Sequence, residues 1–133
     1  MHAHLKYQQN AVQSWTRIDM LLYIYDKAVH AAQSGAQLLE SGDLQAVTPL
    51  QLQLQKAVVL IVDGLDLNAG EIPQNINRLC LHVLELTTGR SAEQWSQAAG
   101  ILADLRDGFQ GVENEARELE CQGKIRPLDP IRG

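Results

Sequence analysis

Apolar side chains recur along this chain at steps of three and four residues, which is the period of one face of an α-helix. Start and stop signals divide the pattern into four long segments, each predicted to be helical. The first runs from about residue 17 to residue 40 and ends where Gly42 can take a left-handed conformation. Its apolar face consists of Ile18, Leu21, Leu22, Tyr25, Val29, Ala32, Ala36 and Leu39.

The second segment contains the sequence PLQLQLQKAVVLIVDGLDL, whose first half alternates between apolar and polar residues as a β-strand does. The alternation stops at Lys56, and a helical period continues instead. One helical face would hold Leu50, Leu54, Ala57, Ile61 and Leu65. We therefore predict a helix, for which two starts are open. It begins either at Pro49, with Thr48 as its cap, or at Asp43, with a kink at Pro49.

The second helix has more apolar surface than a single stripe. At about 100° per residue, Leu52, Val59 and Val62 lie roughly opposite the face that contains Leu54. A helix that is apolar on two sides must be covered on two sides, and a bundle covers only the first. The second face then needs a chain terminus, another copy or a partner protein, since exposed apolar patches usually mark interaction sites.

The third segment runs from residue 71 or 73 to residue 88 and is stopped by Gly89. The fourth begins after Ser91, whose spacing to Gln94 is that of a capping box. The apolar face of the third helix holds Ile72, Ile76, Leu79, Val83 and Leu86, and that of the fourth holds Trp95, Ala98, Leu102, Leu105, Phe109, Val112 and Ala116. Both faces have the spacing of bundle helices.

Three aliphatic residues on these two helices lie off the main apolar faces: Leu81, Leu84 and Ile101. We expect them to line a groove between the third and fourth helices, of the kind that accepts an amphipathic partner helix. The alternative is a wide core that absorbs these side chains.

Four amphipathic helices joined by short loops predict an all-α fold, an antiparallel four-helix bundle. The bundle domain is predicted to span residues 16–119, after a short N-terminal cap segment at 1–15. Residues 120–133 contain the sequence GKIRPLDPIRG, whose two prolines and weak periodicity predict a mobile C-terminal tail.

Composition narrows the function classes. The chain has 133 residues, 45% of them hydrophobic, which fits one domain with a sizeable core. The net charge of −5, with no long run of one sign, argues against a nucleic-acid partner. Apolar stretches fall short of the roughly 18 to 20 residues that span a bilayer, so no membrane insertion is expected. The first residues lack the apolar core of a secretory signal, so the expected location is cytoplasmic.

Residues for catalysis or metal binding are sparse. The histidines do not form the Glu-x-x-His pairs of di-iron bundles, and no phosphate-binding glycine loop or nucleophile elbow is present. Cys80 is predicted to be a small core residue and Cys121 an incidental free thiol. We therefore expect no enzyme activity, no metal and no cofactor.

Several ordered motifs are more specific than this general pattern. The segment YQQNAVQSWTRIDMLLYIYDKAVHAA is followed, at compatible spacings, by SGD, by KAVVLIVDGLDLNAGEIPQNINRL and by LADLRDGF. This set, over about residues 5 to 112, resembles the flagellar secretion chaperone family. The matching positions in the first segment are Tyr7, Asn10, Val12, Thr16, Asp19, Leu21, Leu22, Ile24, Tyr25 and Asp26.

The chain departs from the family pattern at three places. Arg17 stands where a proline often follows the helix cap, and Phe109 stands where a tryptophan is usual. The third helix reads Leu-Cys-Leu-His at 79–82 in place of a Leu-Tyr-x-Tyr pattern. Because the missing tyrosines would shape a groove, these departures affect the details of partner binding more than the bundle.

The resemblance implies a cytoplasmic export chaperone that binds the C-terminal segment of flagellin. Binding would prevent premature polymerisation and keep the subunit ready for type III export. We expect Leu52, Val59 and Val62 to bind this partner, with Leu81, Leu84 and Ile101 lining a second groove. The resemblance further implies that the N-terminal segment, here with Leu5 and Tyr7, covers the groove when the partner is absent. An adaptor or a homodimer that uses the same apolar face is the alternative.

Overall fold

The computed structural model describes the backbone of residues 17–121, and the side-chain surroundings of residues 19–111 and 118. The predicted cap segment, the predicted flexibility of the tail beyond residue 121, and the roles expected of Leu5 and Tyr7 fall outside the described residues. Those expectations remain predictions.

The described residues form helices joined by short loops, without a β-strand. The helices are α1 (Arg17–Ser41), α2 (Leu44–Asp63), α3 (Glu71–Leu86) and α4 (Ala92–Cys121). The predicted all-α class is confirmed. Helix α4 continues two residues into the segment that was predicted to be the tail.

The four helices pack as a bundle in which neighbours along the chain are neighbours in space. Helix α1 makes extensive contacts with α2 and α4, whereas α3 makes fewer contacts with the same two helices. Helices α1 and α3 therefore stand at opposite corners. Because short loops reverse the chain between successive helices, the bundle is antiparallel, as predicted.

The turn between α1 and α2 decides where α2 begins. Gly42 has a φ of 84°, which is the left-handed conformation that favours glycine. The amide of Asp43 donates a hydrogen bond to the carbonyl oxygen of Leu38, and the Asp43 carboxylate accepts one from the amide of Ala46. Helix α2 therefore starts at Leu44, the earlier of the two predicted starts, and contains Pro49.

The start of α4 agrees with the predicted capping residue. The amide of Gln94 donates to Oγ of Ser91 at 3.3 Å, and the amide of Trp95 donates to the Ser91 carbonyl oxygen at 3.0 Å. These bonds satisfy donors in the first turn, which have no partner inside the helix.

The core lies among the four helices, and its largest fully buried side chains include Trp95 and Tyr25. Helix α1 contributes mainly small buried residues: Ala28, Ala31, Ala32, Gly35 and Ala36. Small side chains allow close approach of neighbouring helices. The Trp95 ring nitrogen donates to the carbonyl oxygen of Gly89 at 3.0 Å, so the buried indole has its hydrogen-bond partner. Cys80 is fully buried, as predicted.

Helix α3 differs from its predicted packing. Ile72 and Leu79 were expected on its core face, but both are exposed, Ile72 by 75% of its surface. The reason is tertiary, because α3 packs less extensively against its neighbours than α1 does. Part of its apolar face therefore remains open.

Candidate functional site

The outward face of α2 has an apolar surface. Leu52, Val59 and Leu60 are exposed by 55%, 52% and 54%, respectively. Together with Gln55 and Lys56 they line a shallow depression, which we call the α2 patch. The opposite face of the helix is buried in the core. The helix can have one exposed and one buried apolar face because successive residues are about 100° apart around its axis.

The α2 patch differs in two members from the surface expected from the sequence. Val62 is only partly exposed and packs against the core. It lies about 80° from Leu54 around the helix, whereas Val59 lies about 140° away. Leu60 was not among the predicted binding residues, but it is exposed and belongs to the patch. Its position between the two apolar faces was visible in the sequence.

A second apolar surface lies between α3 and α4. This α3–α4 groove has a volume of about 310 Å³. Its lining residues are Ile72, Ile76, Asp104, Leu105, Gly108 and Phe109. At Gly108, nothing lies within 4 Å of the position that a Cβ atom would occupy, so the missing side chain leaves open space.

The residues that were expected to form this groove occupy other positions. Leu81 is exposed on the outer surface of α3, in a depression that also contains Arg78 and His82. Leu84 and Ile101 are partly buried and pack against the core. These three residues do not line the α3–α4 groove, because the rotation of each helix in the bundle turns them away from it. For Leu84 and Ile101, the structure agrees with the alternative given above, in which a wide core takes up these side chains.

The groove continues inward to an aromatic pair formed by the partly buried Phe109 and the fully buried Tyr25. The rings of Phe109 and Tyr25 have centroids 5.2 Å apart and are tilted by 32°. Within the described part of the chain, the buried Tyr25 hydroxyl has no hydrogen-bond partner. Burial raises the pKa of Tyr25, and the nearby Cys80 raises it further. Burial also raises the pKa of the Cys80 thiol to about 11. Both groups are therefore neutral near pH 7, and neither is activated as a nucleophile.

One polar cluster connects α2 with the loop between α3 and α4. The Gln51 side-chain amide donates to the Thr87 carbonyl oxygen at 2.7 Å. Its side-chain oxygen accepts a hydrogen bond from Nη1 of Arg90 at 3.1 Å. The cluster holds the first half of α2 in register with the end of α3.

Among the residues whose side chains the structure describes, 19–111 and 118, no group of three or more histidine, cysteine or acidic side chains is arranged to hold a metal ion. In the same range, no helix combines the length and the apolar character needed to cross a membrane.

Comparison with known families gives a match over most of the chain. The family model described as flagellar protein FliS matches residues 1–116. The chain belongs to the FliS family. FliS proteins are flagellar export chaperones, so the resemblance seen in the sequence motifs is confirmed. The FliS match covers α1, α2 and α3 completely and most of α4. No curated protein and no solved structure matches the chain.

Proposed function

We propose that this FliS protein binds the C-terminal segment of flagellin in the cytoplasm, prevents its premature polymerisation and holds it ready for type III export. The observation that carries the proposal is the exposure of three large aliphatic side chains, Leu52, Val59 and Leu60, on one face of α2. A chaperone needs exposed apolar surface to hold an apolar segment of its client. Family membership supplies the export role, and the patch supplies a place for binding.

The arrangement of the two apolar surfaces favours an extended client. Helix α3 contacts both α2 and α4 in the bundle, so a client that takes the shorter path between the α2 patch and the α3–α4 groove crosses α3. A segment that is disordered when free can wrap around the bundle in this way and fold on contact. Leu81, exposed on the outer surface of α3, lies on the helix that this path crosses.

Isothermal titration calorimetry with a synthetic peptide of the flagellin C-terminal segment tests the proposal. We expect 1:1 binding with a negative heat-capacity change, since apolar surface is buried. Val59→Asp introduces a charge into the patch and should weaken binding by about tenfold or more. Gln97→Asp introduces the same charge at an exposed site of α4 and should leave binding unchanged. If folded wild-type protein does not bind the peptide at concentrations of about 100 µM, well above the micromolar affinities typical of such interfaces, the proposal is wrong.

A further inference from the structure

The two apolar surfaces carry charges of opposite sign. Among the described residues that line the α2 patch, Lys56 is the one with a charge, and among those that line the α3–α4 groove it is Asp104. Both side chains are exposed. Within residues 19–111 and 118, neither of them makes an ion pair. Both charges are therefore open to groups on a bound segment.

The charges around the α3–α4 groove favour a cation on the bound segment. The guanidinium group of Arg106, two residues from Asp104, is already paired with Asp26 at 3.4 Å and with Asp107 at 3.3 Å. Glu71, at the start of α3, is exposed and is next in the chain to a groove residue. A basic group on the segment is attracted to these carboxylates, whereas an acidic group is repelled.

The charge at the α2 patch has the opposite preference. A lysine can lay its aliphatic stem along an apolar surface while its ammonium group stays in water. Asp63 is an exposed acid on the same helix, but it lies seven residues from Lys56, about 10 Å along the helix axis, and does not line the patch. An acidic group beside an apolar anchor on this patch is therefore attracted by Lys56.

Apolar contacts alone do not decide which part of a client binds at which surface, because both surfaces are mainly aliphatic. A client with two apolar anchors can bind them in either of two orders. Charge distinguishes the orders when the anchors have neighbours of opposite sign, since the wrong order brings like charges together at both surfaces.

We propose that Lys56 and Asp104 select the two anchors of the client by charge. An aliphatic anchor with acidic neighbours binds the α2 patch, and an aliphatic anchor with basic neighbours binds the α3–α4 groove. The assignment of both anchors to one flagellin segment rests on the proposed function. The two residues thereby set the direction in which the client runs around the bundle. They contribute selectivity more than affinity, because exposed ion pairs add little binding energy.

Two synthetic peptides test the selection. Both are amphipathic helices of equal length with the same leucine face, and the flanking residues are glutamate in the acidic probe and lysine in the basic probe. Nuclear magnetic resonance of the full-length ¹⁵N-labelled protein locates each probe. The acidic probe should shift amide signals of residues 52–60, and the basic probe those of residues 104–109. Salt at about 1 M should remove the preference while apolar binding persists, since the Debye length falls to about 3 Å.

Charge reversal gives the decisive comparison. Lys56→Glu should weaken the acidic probe by about fivefold to tenfold and should bring the basic probe to the α2 patch. Asp104→Lys should do the converse at the groove. Arg78→Glu and Glu40→Lys change the net charge by the same amounts at exposed positions outside both surfaces. These control variants should keep the wild-type preference.

Three results would overturn the selection by charge. In the first, both probes shift the same surface of the wild-type protein. In the second, neither probe binds at concentrations up to about 1 mM, the weak end of specific binding. In the third, Lys56→Glu and Asp104→Lys fold normally by circular dichroism and leave the preference of both probes unchanged.

The flagellin peptide separates this selection from the proposed function. Lys56→Glu combined with Asp104→Lys keeps the net charge and should weaken the flagellin peptide by about tenfold in calorimetry. Equal affinity for wild type and the combined variant would leave the chaperone function standing and show that charge does not orient the client. If the probes are selected as expected but the wild type does not bind the flagellin peptide, the flagellin assignment is wrong and the charge preference of the two surfaces stands.

Discussion

Gly35 of α1 lies directly against the indole ring of Trp95 of α4. A Cβ atom added at Gly35 would overlap with ring carbons of Trp95. Trp95 is fully buried, and its ring nitrogen is held by the Gly89 carbonyl oxygen, so the ring has no free direction in which to move. The absence of a side chain at residue 35 is therefore a condition for the close contact of α1 and α4.

Gly35→Ala should destabilise the protein although alanine favours helices. Overlap in a packed core costs about 1 to 3 kcal/mol, which exceeds the gain of up to about 1 kcal/mol from helix propensity. Urea unfolding followed by circular dichroism measures the difference. Gly100→Ala is the control, because nothing lies within 4 Å of its added Cβ and it should raise stability. Equal stabilisation by both substitutions would contradict the contact with Trp95.

Gln51→Ala should lower the free energy of unfolding by about 1 to 2 kcal/mol. The substitution removes the 2.7 Å hydrogen bond to the carbonyl oxygen of Thr87, a buried residue, and also removes one of the acceptors for Arg90. Gln45→Ala is the matched control on the same helix, since Gln45 is exposed. Thermal unfolding of both variants tests whether the Gln51 hydrogen bonds stabilise the fold. If the two substitutions lower stability equally, these hydrogen bonds do not have the proposed role.

Stability should fall as the pH rises from about 9 to about 11. The Cys80 thiol has an ordinary pKa of 9.0, and burial raises the pKa in the folded protein to about 11. In this window the unfolded chain has lost the proton while the folded chain keeps it, so the unfolded state binds fewer protons and stability decreases with pH. Below pH 9 the protonated thiol of this fully buried residue contributes its full stabilisation. As the pH rises to about 11, the free energy of unfolding falls by about 2 to 3 kcal/mol.

The contribution of Cys80 can be isolated by comparison with Cys80→Ala, both in a background of Cys121→Ser and Tyr25→Phe. Those background changes remove the other thiol and the buried hydroxyl, whose pKa is also raised. Urea unfolding at several pH values should show that the difference between the two proteins shrinks as the pH rises. If the difference in the free energy of unfolding does not change with pH, burial does not raise the pKa of the Cys80 thiol.

Gly108→Leu should reduce flagellin-peptide affinity by about tenfold, which corresponds to about 1.4 kcal/mol. The new side chain fills the α3–α4 groove from a position where the structure leaves space, so the fold should remain intact. Gly100→Leu adds the same side chain to α4 at a position that does not line the groove. Calorimetry compares the two variants. Unchanged affinity in Gly108→Leu would confine client binding to the α2 patch.

Local patterns in the sequence were sufficient to predict the helices and much of the α2 patch. Ser91 caps α4 as its spacing to Gln94 indicated, because a capping bond joins residues three positions apart. Leu52 and Val59 are exposed opposite Leu54 because the helical period alone places them there. These features depend on neighbours within two or three helical turns.

Other features depend on how the helices meet, and only the tertiary structure decided them. The sequence allowed α2 to begin at Asp43 or at Pro49, and the hydrogen bonds around the turn placed its first residue at Leu44. Ile72 is exposed because α3 packs sparsely against its neighbours. The helical period of the sequence does not predict how closely a helix packs. The sequence by itself determined which residues share a helix face. The rotation and separation of whole helices determined which faces are covered, because these depend on contacts between residues far apart in the chain, such as Gly35 with Trp95.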